Sequence, residues 1–248
     1  MVSFVAEPIV HFGPLIITNT LLDTFIVDVL LIGGAFYLSK KLALVPNLFQ
    51  NAIESIIETF YSLTASIAPE NVGKIFPYFM SFFLFILLAN WSGLIPGVGT
   101  IGFFENHKFI PLLRSATSDF NTTLGLALVS AVATHFLSVR TIGIKNYLSR
   151  YFSLNPINLF IGILEIISEI TKIISLSFRL FGNVFAGEVV LLTVSTIFAF
   201  LFPLPFLLLE VIVGLVQALV FSMLTMVFMA ILTIPHHEEH PAKELAVK

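Results

Sequence analysis

Five long apolar runs, separated by shorter polar segments, dominate the pattern of hydrophobic and polar positions along the chain. The runs at 21–39, 76–97 and 119–139 each have the ~20 residues that a helix needs to cross the hydrocarbon core of a bilayer. The runs at 156–202 and 206–234 are longer than a perpendicular crossing requires. The pattern predicts an all-α integral membrane protein, a single membrane domain with about five membrane-embedded crossings.

The run at 156–202 has an unusual length, and it contains no proline after Pro156. A continuous helix of this length would measure ~70 Å, more than twice the ~30 Å of the hydrocarbon core. We therefore expect this segment to tilt steeply, to lie partly along the membrane or to break. The run at 206–234, which follows Pro203 and Pro205, also exceeds a perpendicular crossing.

The segment at 47–68 has a different pattern, with apolar and polar residues on two faces of a helix. It is too polar to span the membrane and too apolar to lie free in water. An interfacial amphipathic helix on the inner surface is favoured over a soluble linker helix. The apolar face carries Leu48, Ile53, Ile56, Ile57, Phe60 and Leu63, and the polar face carries Gln50, Glu54, Glu58 and Ser62.

Composition supports a membrane protein and excludes several other classes. Hydrophobic residues make up 57% of the 248 residues and charged residues only 11%, against about 25% charged in an ordinary soluble domain. The mean hydropathy of +1.01 is too high for a soluble enzyme, a disordered chain or a nucleic-acid binder. The chain has no cysteine, which excludes disulfides, thiolate metal sites and cysteine nucleophiles. We expect no cofactor and no metal.

The distribution of basic residues predicts the orientation in the membrane. With the N-terminal segment 1–20 outside, the outer loops contain only Lys108 and Arg114, and the inner segments contain eight basic residues, in line with the positive-inside rule. The tail at 235–248 then lies inside, which requires an odd number of crossings. No Lys or Arg precedes the first apolar run, so we expect no removable signal peptide. The inner basic residues are Lys40, Lys41, Lys74, Arg140, Lys145, Arg150, Lys243 and Lys248.

Polar residues inside the 156–202 run are the strongest functional signal. Positions 165, 169, 172, 176, 179 and 183 follow alternating steps of four and three, which keeps them on one helical stripe. A charge at bilayer depth costs at least ~2.5–3.5 kcal/mol, so this stripe should face protein or water. For Lys172 the alternative is a local ion pair with Glu169, and no role is predicted for His135. The polar members of the stripe are Glu165, Glu169, Lys172, Arg179 and Asn183, and Leu176 interrupts them.

Arg179 cannot be explained by a local ion pair. Its nearest acidic residues in sequence are ten positions before it and nine positions after it, too far to pair with it along one helix. An arginine side chain remains protonated even when it is partly desolvated. We therefore expect another chain to bring a carboxylate to Arg179.

The last apolar run contributes Glu210 and Gln217, which are seven residues apart and lie on one face of a helix. If the two longest helices are antiparallel and joined near Pro203 and Pro205, Gln217 and Glu188 lie at similar depth, with Glu210 nearer the outside. The carboxylates of Glu188 and Glu210 are expected to be unpaired, which favours a proton pathway. An interhelical hydrogen bond that only joins two helices is the alternative for Gln217.

Five short segments along the chain form a recognisable set. The run at 175–188, SLSFRLFGNVFAGE, places Asn four residues after the arginine and Gly-Glu eight and nine residues after it. The other segments are EPIVHF at 7–12, NWSGLIPG at 90–97, SDFNTT at 118–123 and LVQA at 215–218. Together they resemble subunit a of the F-type ATP synthase membrane sector, in its bacterial form, over nearly the whole chain and in the same order.

This resemblance implies a fold, partners and residue roles. The two long helices would be steeply tilted and would curve against a ring of c subunits, with b-type peripheral-stalk subunits and the remainder of the ATP synthase as further partners. Arg179 would separate two aqueous half-channels that reach the ring carboxylate from opposite sides. The outer half-channel would contain Asn183, Glu188, Glu210 and Gln217, and the inner one Glu165 and Glu169.

Two features of the chain do not follow the resemblance directly. Many members have His where this chain has Glu210, so the outer path here would use two carboxylates. The family places Gln217 near Arg179, whereas counting from the prolines leaves Arg179 ~36 Å from the turn and Gln217 ~18 Å from it. Tilt or an offset between the two helices must close this gap.

The implied location is an energy-transducing membrane, the bacterial plasma membrane or, as the alternative, the mitochondrial inner membrane. The chain is expected to catalyse no reaction by itself, since it lacks a phosphate-binding Gly-Lys-Ser loop. Two other classes remain to be tested. A secondary transporter with Arg179 as its substrate anchor would need discontinuous helices, and a purely structural assembly subunit would leave the acidic residues unexplained.

Overall fold

The computed structural model describes residues 8–12, 15–43, 45–95, 97, 101–105, 108–151, 156–197 and 203–234. Within these residues the chain forms seven α-helices, four short strands and one 3-10 turn. The helices are α1 (Asn19–Lys40), α2 (Leu48–Ile67), α3 (Val72–Ser92), α4 (Phe120–Ile142), α5 (Ile144–Tyr151), α6 (Pro156–Ile197) and α7 (Pro203–Leu232). The strands are β1 (Pro8–Phe12), β2 (Leu15–Thr18), β3 (Gly102–Glu105) and β4 (Lys108–Pro111), and the 3-10 turn is Ala116–Ser118.

A helix occupies each of the predicted apolar runs. Four helices, α1, α3, α4 and α7, are long and apolar enough to cross a membrane, as an integral membrane protein requires. α3 differs in its bounds, because it covers Val72–Ser92 instead of 76–97. The end of the fourth run, 198–202, and the predicted inner tail, 235–248, lie outside the described residues.

α6 is one continuous helix of 42 residues, ~63 Å long. The break that the sequence left open is therefore absent from 156–197, and the length has to be accommodated by tilt or by lying partly along the membrane. α7, with 30 residues, is ~45 Å long. Pro205 lies in the first turn of α7, where its missing N–H interrupts no helical hydrogen bond.

Two antiparallel hairpins are a difference from the all-α prediction. Pro8 in β1 lies opposite Thr18 in β2, and Glu105 in β3 lies opposite Lys108 in β4. Both hairpins lie in segments outside the long apolar runs. Each strand is only four or five residues long. Segments of this length do not form stable helices. Pairing with the neighbouring strand provides hydrogen bonds for their backbone N–H and C=O groups instead.

The short helix α5 was not predicted either. Gly143 adopts φ +82° directly after α4, in the left-handed region that glycine enters without strain, and the chain turns there into α5. The end of α5 then contacts α6 closely, because a Cβ added at Gly162 would overlap the Tyr151 carbonyl. The two glycines thus bring Arg150 and Tyr151 against the first third of α6.

α3, α4, α6 and α7 form the core of the described structure. Within a membrane such contacts stabilise mainly through close van der Waals packing, since lipid tails are as apolar as the side chains. Phe79 and Phe83 of α3 stack with an interplanar angle of 2°. Phe60 of α2 packs against both rings. The buried centre contains Phe82, Phe83, Ile86, Ala127, Leu176, Leu180, Ala218 and Phe221.

Buried polar groups fix the 3-10 turn to the helices around it. Asp23 of α1 accepts hydrogen bonds from Ser92 Oγ at 2.8 Å and from the Ala116 N–H at 3.0 Å. Asn90 of α3 accepts one from Thr117 Oγ1 at 2.7 Å. The turn and the residues just before it, which include Arg114, are therefore held in a defined position against α1 and α3.

Candidate functional site

The polar residues of α6 and α7 meet in one register. Asn183 Nδ2 donates a hydrogen bond to Gln217 Oε1 at 2.6 Å. Glu210 lies directly against Gly187, where an added Cβ would overlap the Glu210 carboxylate. The hydrogen bond that the sequence offered as the alternative for Gln217 is therefore present, and it joins α6 to α7.

This register differs from the predicted one, which placed Gln217 level with Glu188 and Glu210 nearer the outside. That prediction is wrong, because the hydrogen bond to Asn183 places Gln217 level with a residue five positions before Glu188 on α6. Counted from the helix ends, Asn183 lies 14 residues before Ile197 and Gln217 lies 14 residues after Pro203. Glu188 is instead adjacent to the Gly187 position that Glu210 contacts.

Arg179 lies one helical turn before Asn183 and is exposed on α6. No carboxylate within the described ranges lies at ion-pair distance from its guanidinium. Counting from the prolines put Arg179 ~36 Å and Gln217 ~18 Å from the turn, and the observed register removes this difference in depth. The Asn183–Gln217 hydrogen bond brings Gln217 to within one turn of Arg179.

The predicted stripe on α6 faces protein along much of its length. Leu176 is 4% exposed and packs in the core. Glu165 and Glu169 contact groups of α5 and α4, and Asn183 contacts α7. This placement agrees with the cost of exposing such groups to lipid.

Glu188 forms a bidentate ion pair that the sequence analysis missed. Arg114 Nε donates to Glu188 Oε1 at 3.1 Å, and Arg114 Nη2 donates to Oε2 at 2.9 Å. The Arg114 side chain is only 9% exposed, and that of Glu188 is 34% exposed. The expectation that Glu188 is unpaired is therefore wrong, because its cation comes from the segment between β4 and the 3-10 turn, 74 residues away in sequence.

The acidic residues in the first half of α6 are also paired. Arg150 Nε of α5 donates to Glu165 Oε1 at 2.6 Å. Lys172 Nζ donates to Glu169 Oε1 at 2.7 Å, which is the local ion pair that the spacing suggested. His135 Nε2 of α4 lies 3.7 Å from the other oxygen of Glu169. Arg179 differs from all these groups in having no such partner among the described residues.

An open groove of about 320 Å³ lies along α6 and α7 between Lys172 and Arg179. Its wall contains three hydroxyl side chains, from Ser168, Thr171 and Ser175, which the sequence analysis did not single out. They lie between successive members of the charged stripe, and only the placement of α7 shows that they share its groove. The remaining lining residues are Leu176, Leu224 and Phe228.

The fold and this row of groups define a polytopic α-helical membrane protein with ionisable side chains at membrane depth, an arrangement typical of proton and ion pathways. The model of the ATP synthase A chain family matches residues 21–230. The chain belongs to this family.

Three bacterial relatives show how far the similarity extends. ATP synthase subunit a of Moorella thermoacetica is 33% identical, over 90% of this chain and 94% of the relative. ATP synthase subunit a 2 of Pelobacter propionicus is 34% identical, over 90% of each chain. ATP synthase subunit a of Gloeobacter violaceus is 36% identical, over 92% of this chain and 89% of the relative. The family match at 21–230 reaches all seven helices.

Proposed function

We propose that this chain is the proton-translocating stator subunit of a rotary F-type ATP synthase. It provides two offset half-channels to a carboxylate of the c-subunit ring, and Arg179 separates them. The observation that carries the proposal is an exposed arginine on α6, one turn from the Asn183–Gln217 hydrogen bond, with no carboxylate of the described chain beside it. Membership of the ATP synthase A chain family supports it independently.

The mechanism follows from the fixed positive charge. A ring carboxylate that faces lipid must be protonated, because an unpaired anion in hydrocarbon is too costly. Beside Arg179 the same carboxylate loses its proton, because a nearby cation favours the charged form. A proton can then enter from one side and leave on the other only if the ring rotates between the two events. Moving one charge through 100 mV yields ~2.3 kcal/mol, so several protons are needed for each ATP.

The outer half-channel uses Glu188, Glu210, Asn183 and Gln217. The Glu210 carboxylate lies against Gly187, the residue before Glu188, and the two amides form the next polar pair, about one turn closer to Arg179. The order supports a path in which protons pass from the carboxylates towards the amides and the ring. Arg114 is a positioning residue in this proposal, because it fixes the orientation of Glu188.

The inner half-channel uses Glu165 and Glu169 together with the groove between Lys172 and Arg179. The hydroxyls along that groove can bind water, and the ion pairs with Arg150 and Lys172 compensate the charge of both carboxylates at depth. Protons released near Arg179 leave along this side.

The proposal includes five crossings, with α6 as the steeply tilted crossing that adds to the four apolar helices. The N-terminus is outside and the C-terminus is cytoplasmic, in a bacterial plasma membrane, as the excess of inner basic residues indicates. The partners are the c-ring, b-type peripheral-stalk subunits and the remainder of the ATP synthase. The chain itself is not catalytic. The organisms of the relatives favour a bacterial membrane over a mitochondrial one.

Replacement of Arg179 tests the proposal in membrane vesicles that contain the assembled complex. We expect Arg179→Ala to abolish ATP synthesis, because nothing then forces the ring carboxylate to release its proton, while passive proton flux persists or rises. Arg179→Lys should support little or no synthesis, because an ammonium can be neutralised when desolvated and lacks the planar fork. Arg140→Ala, at the exposed end of α4, is the control and should remain near wild type. Normal synthesis by Arg179→Ala would refute the role as separator.

A secondary transporter gains no support from α6. Transporters of that kind bind substrate at breaks in discontinuous helices, whereas α6 is continuous from Pro156 to Ile197. Purification of the chain together with a c-ring would separate the two functions, because an autonomous transporter needs no ring.

A further inference from the structure

His135 is a titratable residue of α4 that the half-channels proposed above do not use. It lies seven residues before Ile142, the last residue of α4, and so ~10 Å from that end of the helix. Its Nδ1 atom lies 3.0 Å from the Tyr147 hydroxyl of α5, and its Nε2 atom lies 3.7 Å from Oε2 of Glu169. Both ring nitrogens therefore face oxygen atoms that belong to other helices.

Two ion pairs balance the charges around the imidazole ring. Glu169 Oε1 is 2.7 Å from Lys172 Nζ, which leaves its second oxygen for His135. Glu165, one helical turn before Glu169, is paired with Arg150. α7 also packs against α4, but its one ionisable residue lies in its first third, at the other end of the helix. A proton bound by His135 therefore faces the carboxylate of Glu169 as its nearest charge.

Tyr147 fixes the orientation of the ring. Gly143 turns the chain from α4 into α5 and so brings Tyr147 back against α4, where its ring meets that of His135 edge to face, with 6.0 Å between the centroids. Tyr151 packs on the Tyr147 ring in turn, at 5.2 Å. When Nδ1–H donates to the Tyr147 hydroxyl, the neutral ring has its free lone pair on Nε2, on the side of Glu169.

A small cavity links Glu169 to the groove described above. It lies between α4, α6 and α7 and has a volume of about 10 Å³, about the space that one water molecule needs. Its polar lining residues are Ser130, Thr134, Glu169 and Lys172. Lys172 also lines the groove, so the groove and the cavity share this side chain. His135 is the next titratable group beyond Glu169 in the direction of α5.

We propose that His135 is a proton-carrying residue of the inner half-channel and that Tyr147 is its positioning residue. A proton on Glu169 Oε2 passes to Nε2: the O–H bond breaks, an N–H bond forms, and the carboxylate keeps the electron pair and its contact with Lys172. The imidazolium, whose side chain is 30% exposed, then releases this proton to water at the inner surface. Histidine suits this step because it changes its charge between about pH 5 and 8. The inference rests on the proposed function, since protons must leave along the inner side.

The dependence of ATP synthesis on the inner pH tests this role. In inverted vesicles that contain the assembled complex, the inner face of the membrane meets the bath, so the bath sets the inner pH. The rate of His135→Gln is divided by the wild-type rate at each pH, which cancels the effect of pH on the driving force and on the other subunits. We expect His135→Gln to be several-fold slower than wild type near about pH 8 and equal to it near about pH 5, where the wild-type imidazole stays protonated and accepts no further proton.

Tyr147→Phe tests the positioning without removal of the histidine. It should show the same pH-dependent loss, smaller in size, because the ring then lacks the oxygen that orients Nε2 towards Glu169. Tyr61→Phe is the matched control and should match wild type at every pH. It removes the same hydroxyl from α2, where Tyr61 is 46% exposed and packs against Phe76 of α3.

Several results would overturn the proposal. A ratio for His135→Gln that is equally low at every bath pH would indicate a structural role, and wild-type rates throughout would indicate none. A loss that follows the pH of the vesicle lumen would place His135 on the other side. If His135→Gln does not assemble, Tyr147→Phe decides, and wild-type rates from it over the whole series would overturn the proposal. None of these results changes the Arg179 experiment, which is scored by the loss of synthesis at every pH, so a failure of the proposed function is distinguishable.

Discussion

The carboxylate of Glu188 and the guanidinium of Arg114 form an ion pair joined by two hydrogen bonds. Glu188→Gln removes the proton-binding group but leaves an amide of the same shape. We expect the complex to assemble and proton-driven ATP synthesis to slow several-fold, measured as initial rates in vesicles over a series of pH values. Wild-type rates across that series would remove Glu188 from the pathway.

A double-mutant cycle shows whether Arg114 acts through Glu188. Arg114→Gln alone leaves the Glu188 carboxylate without its cation and should also slow synthesis. If the two side chains act as a unit, the double variant Arg114→Gln with Glu188→Gln should be no slower than the slower single variant. Additive losses in the cycle would mean that Arg114 serves only the folding of its own segment.

Gly187 tests the contact between α6 and Glu210. Gly187→Ala adds a methyl group that overlaps the Glu210 carboxylate, so we expect Glu210 to be displaced and synthesis to fall. Gly125→Ala is the matched control, because Gly125 lies inside α4, an added Cβ there has no atom within 4 Å, and alanine favours the helix. Equal rates in the two alanine variants would show that the position of Glu210 is unimportant.

At the scale of residues, the sequence predicts what is local and misses what is distant. The Glu169–Lys172 pair follows from a spacing of three residues on one helix. The sequence identifies Arg114 only as an outer basic residue, because nothing in its neighbourhood reveals a partner 74 residues away. The available signal is that Arg114 lies four residues before the SDFNTT segment. This position does not indicate which residue Arg114 pairs with.

At the scale of elements, the apolar runs predict where helices lie but not where they end. The approximate length of α6 and α7 follows from the runs themselves, whereas their register depends on contacts between the two helices, such as the Asn183–Gln217 hydrogen bond. Pro203 and Pro205 are the only turn signals between the two runs, so the predicted register is counted from them. Counting from these prolines moves the predicted partner of Gln217 by five residues, from Asn183 to Glu188.

Cross-linking between α6 and α7 measures this register. We expect the pair Asn183→Cys with Gln217→Cys to be joined efficiently by a short bifunctional thiol reagent, because these side chains form a hydrogen bond. The pair Glu188→Cys with Gln217→Cys should react much less, since Glu188 lies ~7.5 Å further along α6. The cross-linked product is a peptide joining both helices, detected by mass spectrometry. Preferred joining of the second pair would restore the register counted from the prolines.

At the scale of the whole molecule, the long apolar runs predict the helical core and the distribution of charge predicts the orientation. The sequence does not predict the two hairpins, because short apolar strands carry little periodic signal. It does not predict α5 either, because the position of α5 depends on Gly143 and Gly162. The helical core was predictable, since long apolar runs have few alternatives to a helix in a membrane. What remains a prediction is the orientation, which rests on eight inner basic residues against two outer ones.

Single-cysteine labelling tests that orientation in the otherwise cysteine-free chain. We expect a cysteine near His11 to react with a membrane-impermeant thiol reagent from the outside, and a cysteine near His240 to react only from the inside. Five crossings put the two termini on opposite sides, whereas four put them on the same side. The sealed orientation of each membrane preparation is checked with a protein of known topology. Labelling of both cysteines from one side would therefore contradict five crossings and, with them, the assignment of α6 as a crossing.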